Sequence, residues 1–448
     1  MNYLRKSIIL IISCIGLIVS CKKEKAEVVV PEVKFVYSSK EIIAAIDKGD
    51  LKKLKECIEK GEDPNGRCKG YTRGGREEGQ ENISDRDWTL LMYAVFHNEA
   101  DIVKFLIAKK ADINAVNAVG HSALFLACAN NEEKMGLLLI ENGADVNIGK
   151  DDDGMNALQW ALSYELNDLS SKLIEKGADV NAFSTETGRS VLMEAFFSDT
   201  IKPAIAHRII DLGAEVHFID PRNKETPLML ACMRNDSISV KKLINKGAYV
   251  NLESKAGYTA LTYAAGNDFQ DASLLRYLVS KGAKINDQNV PLIDAAQSGS
   301  LKKVKFLVEN GADVNKRRPI NGLSALFEAG FSAYLDIATY LIDNGANVNI
   351  ENFDGESVLY RSIGSEKGSF KMVQLLIDNG ANVNHIDKSD KSTALMKAAE
   401  YNLPDIVALL IEKGASKEGV DTYGKTAKMY AEESATRTGD DKILTFFE

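Results

Sequence analysis

The chain has 448 residues, 45% of them hydrophobic and 27% charged, and a formal net charge of −9. It is too apolar for wholesale disorder, and a mildly acidic chain without a basic block excludes a phosphate-backbone binder, so no nucleic-acid partner is expected. Residues 1–20 read as a targeting segment outside the fold: Arg5 and Lys6 make a positive start, and Ser7–Val19 is apolar but too short to span a membrane.

That segment ends Ile18-Val19-Ser20-Cys21, which resembles the lipobox of bacterial lipoproteins. In that family the cysteine becomes the first mature residue and carries a diacylglycerol. The resemblance therefore implies lipidation of Cys21 and attachment to a membrane of a bacterial cell envelope, periplasmic or at the cell surface. An ordinary signal peptide, or an uncleaved anchor, with an incidental Cys21 is the alternative. Residues 21–38 read as a tether, charged at Lys22-Lys23-Glu24-Lys25 and extended before Pro31. At full stretch it reaches about 55 Å.

Ser38 or Ser39 can cap a helix over Lys40–Lys48, with Ile42, Ile43 and Ile46 on one face. Gly49-Asp50 turns the chain into a second helix, Leu51–Glu59, with Leu51, Leu54 and Ile58 inward. A phrase then dominates the chain. Gly143-Ala144-Asp145-Val146-Asn147 recurs unchanged at Gly177 and Gly311, with close copies at Gly247, Gly345 and Gly380. Weaker copies stand at Gly61, Lys110, Gly213, Gly282 and Gly414. From Lys110 onward the steps are 33, 34, 36, 34, 35, 29, 34, 35 and 34 residues, a fixed period that means a stack of units each packing on its neighbours. The glycine suits a left-handed helix stop, the asparagine a turn into the next unit, and the Ser or Thr that opens each unit a helix cap.

The interior units resemble ankyrin repeats. Asn223-Lys224-Glu225-Thr226-Pro227-Leu228-Met229-Leu230-Ala231-Cys232 looks like that family's opening, and Val240-Lys241-Lys242-Leu243-Ile244-Asn245-Lys246-Gly247-Ala248 like its close. Similar openings begin at Thr89, Ser122, Asn156, Ser190, Thr259, Ser324, Ser357, Thr393 and Thr426, so the resemblance covers about residues 39–447. It implies an all-α repeat solenoid, an ankyrin-type stack of about 12 helix-turn-helix units with short β-turn fingers. It also implies a non-catalytic monomer that binds a protein across its concave face and finger tips. The family's imidazole at the fourth opening position is missing; Met92, Phe125, Gln159, Met193, Met229, Thr262, Ile293, Phe327, Tyr360, Met396 and Met429 stand there. Apolar packing is expected to replace its side-chain hydrogen bond.

Two intervals break the period. Gly61 to Lys110 is 49 residues, and the excess over Asn65–Asp85 reads as an elongated finger. Gly282 to Gly311 is five short, which reads as a notch or a hinge between sub-stacks 39–286 and 287–448. A polar pair of helices over Tyr423–Glu448 is expected to close the stack.

Chemistry is not visible. His97, His121, His207, His217 and His385 fall in different units, without the i, i+4 spacing of a metal helix. No phosphate loop or nucleophile elbow occurs, so no catalytic residue, cofactor or metal is expected. Cys57 and Cys68 are close enough in sequence to pair, whereas Cys128 and Cys232, three units apart, are not. Carried over by position, the resemblance to ankyrin repeats implies that the two residues after the small pair of each inner helix face the groove, which singles out Phe96, Tyr164, Phe197, Met233, Arg234, Phe331 and Tyr401 as partner-binding candidates. Otherwise several of them pack under neighbouring fingers. The function read from this is a membrane-anchored binder of another protein. The alternatives are an envelope spacer or an inhibitor or immunity-type regulator of an envelope enzyme.

Overall fold

The computed structural model describes residues 38–68, 87–286, 290–363 and 370–448. Among them, helices alternate between an inner row, from Lys40–Asp47 to Ala427–Thr438, and an outer row, from Leu51–Glu59 to Pro404–Glu412. The inner row has twelve helices, and each packs on the next, so one apolar core runs the length of the stack. The closing unit has one helix rather than two: Ala427–Thr438 stops at Gly439 (φ +75°), and a 3-10 turn over Lys442–Phe446 buries only Ile443.

Local chemistry sets these elements. The hydroxyls of Ser122, Ser190 and Ser324 accept the amide hydrogen three residues on, at 3.1, 3.3 and 3.3 Å, satisfying an orphan donor of the inner helix. Behind the caps Ser122, Thr226, Thr259, Ser324 and Thr393 a leucine and a small pair are buried, as with Leu228, Ala231 and Cys232, and this lets those inner helices approach closely. The unit after the short interval has no side-chain cap; it starts with Pro291, whose missing amide needs none. Fingers close through single antiparallel bridges such as Phe183–Ser190 and Ile386–Thr393. At the root of the long finger, Arg67–Cys68 pairs with Trp88–Thr89. Arg67 donates to the carbonyls of Asp87 (2.8 Å) and Val116 (3.1 Å), tying that root to the next finger. The rest of the expected finger, from 69 to 85, lies outside the described residues.

Gly143, Gly177 and Gly311 sit at φ +90°, +86° and +88°, and nothing lies within 4 Å of a Cβ placed on any of them. Conformation, then, and not space, selects glycine there. Lys110 holds the same place at φ +64°. Lys110→Gly is therefore expected to stabilise its unit by about 1 kcal/mol, read as a higher urea midpoint.

The asparagine of the phrase does more than open a turn. Asn147 Oδ1 accepts from the Asp179 amide at 2.8 Å, and its Nδ2 donates to the Gly177 carbonyl at 3.0 Å, joining one phrase to the next. Asn315, Asn349 and Asn384 repeat the pair of bonds. His217 replaces the asparagine in one phrase and its ring meets that of Tyr249 at a tilt instead, 4.8 Å between centroids. Across the short interval the bridge persists: Asn286 accepts from Asp313 (3.1 Å) and donates to Gly311 (2.7 Å). The inner helices Ala260–Gly266 and Pro291–Gln297 also pack directly there. Residues 287–289 lie outside the described residues.

Among the described residues, two inner helices run directly into an extended residue. After Val191–Phe197 and after Ala260–Gly266 the next residue is extended (Ser198, ψ 138°; Asn267, ψ 157°), so its amide does not close the last turn. In both cases a cation from the following unit supplies the donors. Arg234 donates to the carbonyls of Ala195 (3.4 Å), Ser198 and Ile201 (3.4 Å). Lys303 donates to those of Ala265 (3.1 Å) and Asn267 (2.7 Å), and to Asn267 Oδ1 (2.7 Å). A positive charge at a helix C-terminus is also favoured by the aligned peptide dipoles.

Two expectations need correcting. The fourth opening position is not apolar throughout: Gln159 and Thr262 hydrogen-bond back to the Asn156 and Thr259 amides, at 3.4 and 3.3 Å, forming capping boxes. Cys57 and Cys68 do not pair; both are free and buried, as are Cys128 and Cys232. Burial pushes the Cys68 and Cys128 thiols up to about 12, so neither supplies a thiolate near neutral pH.

Candidate functional site: the concave groove

Counting from the capping residue as zero, positions 4, 7 and 8 of an inner helix lie on one face. The sequence reading used positions 7 and 8. Of its seven candidates, Tyr164, Phe197, Met233, Phe331 and Tyr401 are exposed, between 40% and 56%. Phe96 is half-buried, its ring edge-on to Trp88 at 4.9 Å, because the finger root covers it. Arg234 is half-buried and directed at the carbonyls described above, which makes it a structural bracket rather than a groove contact.

Position 4 supplies a second row, one turn earlier. It reads Tyr93, Trp160, Glu194, Tyr263, Asp294, Glu328, Arg361, Lys397 and Tyr430 in successive or near-successive units. Finger residues hold these side chains in place. The Trp160 indole donates to Asp151 at 3.0 Å, the Tyr263 hydroxyl to Glu225 at 2.6 Å, and the Tyr430 hydroxyl to Asp421 at 2.5 Å. The sequence signal was available: these positions stand three and four residues before the candidates already chosen, and so share their face.

The rows interlock. Tyr164 stacks on Trp160 at 5.6 Å, the Arg189 guanidinium covers the Phe197 ring at 3.3 Å, and Arg361 lies over Phe331 at 4.6 Å. Charge changes sign along the groove. Its middle is acidic, with Glu194, Asp294 and Glu328 all buried. Burial raises all three carboxyls above their ordinary range, Asp294 to about 6. Further on come Arg361 and Lys397, the latter 3.9 Å above the Tyr360 ring and held below the usual lysine range by burial.

Asp294 and Glu328 share one guanidinium, that of Arg318, which donates to Asp294 at 2.7 Å and stands 3.8 Å from Glu328. Arg318 sits where other fingers carry the short polar residue that closes their own turn, such as Asp220 or Asp387. Beside this triad a cavity of about 170 Å³ opens between Met233, Tyr258, Tyr263 and Asp294. Among the described residues no group of three or more His, Cys, Asp or Glu could hold a metal, and no helix is long and apolar enough to cross a membrane.

Among the described residues, paired helices and hairpin fingers packed unit on unit define a repeat solenoid. The chain belongs to the ankyrin repeat family. The family model for ankyrin repeats in three copies matches residues 42–150, 91–184, 192–289, 269–352, 292–387 and 359–446. A Caenorhabditis briggsae ankyrin repeat and KH domain-containing protein is 28% identical over 200 residues, 43% of this chain and 7% of that one. A Danio rerio protein carrying a palmitoyltransferase name is 30% identical over 228 residues, 51% of this chain and 32% of its own length. This chain thus spans less than half of either. An ankyrin repeat protein of Rickettsia felis is 27% identical over 358 residues, 74% of this chain and 84% of that one.

Proposed function

We propose that this chain is a membrane-tethered scaffold of a bacterial envelope that holds another protein in its concave groove and performs no chemistry itself. Ankyrin repeats imply protein–protein interaction. The observation that carries the reading here is the exposed row Tyr164, Phe197, Met233, Phe331 and Tyr401 beside a braced polar row. Large apolar side chains held at an exposed register are what interface centres favour. The tether would be lipidated Cys21, with residues 21–38 as spacer and sub-stacks 39–286 and 287–448 offering the surface.

The test has two arms. A photo-crosslinking residue replacing Phe197 or Tyr401 in the full chain, expressed in its own cells, is expected to give one protein adduct that a Tyr164→Ala, Phe331→Ala chain does not form. Cys21→Ala is expected to abolish incorporation of an alkynyl fatty acid and release the chain from membranes. Adducts at neither position, from a chain that stays membrane-bound, would leave a spacer as the better reading.

A further inference from the structure

We infer that the cavity between Met233, Tyr258, Tyr263 and Asp294 receives one basic side chain, lysine or arginine, of the bound protein; this rests on the groove being the binding face. Size is the first reason. At about 170 Å³ the cavity is well below the 300–1,000 Å³ of small-molecule sites, so it fits a single side chain.

Charge is the second. Asp294, which lines the cavity and is 8% exposed, has Arg318 as its one cation among the described residues and shares that guanidinium with Glu328, which Arg361 also faces. Tyr263, which also lines it, donates to Glu225, which has no ion pair among the described residues. The nearby Lys303 does not redress this, because its ammonium is held by carbonyl oxygens and faces the charges of Asp268 and Asp271. An added cation is what the cavity lacks. The walls suit one: Tyr258 and Tyr263 meet edge to face at 5.8 Å, offering aromatic surface beside the carboxylate.

Access is the third. Position 7, filled by Phe197, Met233 or Phe331 in other units, is Gly266 here, and its absent side chain is what leaves the cavity open. A Cβ at 266 would lie 3.4 Å from that of Asp294, ordinary contact, and Gly266 is helical, so Gly266→Leu can fill the cavity without straining the backbone.

Gly266→Leu makes the test. A random peptide library displayed on phage is selected on the immobilised full chain, and the recovered peptides are then assayed on the Gly266→Leu chain, where binding is expected to fall at least tenfold. The recovered peptides are expected to share one lysine or arginine. Replacing that residue by alanine, or using Asp294→Asn chain, is expected to weaken binding at least tenfold, with melting curves confirming that both variants fold. Should Asp294→Asn fail to fold, Gly266→Leu reads the same site alone. Peptides that lose binding to a Tyr164→Ala, Phe197→Ala chain, ignore Gly266→Leu and share no basic residue would overturn the cavity while leaving the groove intact. Peptides that depend on no groove residue would overturn both.

Discussion

Arg318→Met is expected to destabilise the stack by about 3–5 kcal/mol, the cost of leaving a buried ion pair without one partner. Arg318, Asp294 and Glu328 are each 8% exposed, so neither carboxylate can turn to water when the guanidinium is gone. The loss should depend on pH with a definite sign. Burial already raises Asp294 from 3.8 to about 6, so the folded state binds its proton more readily than the unfolded state. The resulting penalty is fully present above pH 6 and is relieved as pH falls from there towards 4. Without Arg318 the shift grows, and the deficit of the variant against the parent should narrow between pH 7 and pH 5. Converting the whole triad to apolar residues should restore most of the stability. Repeat arrays unfold piecemeal, so the measurement is hydrogen exchange in the inner helices Pro291–Gln297 and Ala325–Phe331. Unchanged protection there in Arg318→Met would refute the account.

Lys303→Met should cost about 2–3 kcal/mol, because the carbonyls of Ala265 and Asn267 then lose the charged donor they share. Lys303 is 1% exposed and takes a place that other outer helices fill with Ile102, Leu169 or Ile337. On packing alone the methionine would be an improvement. A stabilised variant would mean that burial of the lysine is the larger effect and that water or rearrangement serves the carbonyls. Arg234→Ala should cost less than Lys303→Met, since Arg234 is only half-buried and water can reach part of the turn it braces. Amide exchange in the turn 267–272, compared with 198–202, separates the two outcomes.

Much of this fold was legible before any coordinates. The phrase around Gly143 marked every unit but the closing one, Leu51–Glu59 was read to the residue, and the Ser or Thr openings matched the caps observed. These features are local: a cap reaches three residues, and a left-handed stop is a property of one. The groove was half legible. Carried over by position from ankyrin repeats, Tyr164, Phe197, Met233, Phe331 and Tyr401 are exposed as expected, whereas Phe96 and Arg234 are half-buried, because a finger root and a distant extended turn decide their surroundings.

By itself, then, the sequence determined the period, the helices, their caps and the place of the stack's two irregular intervals. Only the tertiary structure decided what passes between units. The asparagine bridges span 25 to 33 residues, as from Asn286 to Gly311 or Asn349 to Asn382. The Lys303 bracket spans 38 and the Asp294–Arg318 pair 24. Such contacts leave no local periodicity to read, since each joins residues whose proximity exists only once the units between them have stacked. The same reason hid the groove's second row: Asp294 looks like one more polar residue on a short helix until Arg318, Tyr263 and Gly266 are brought around it.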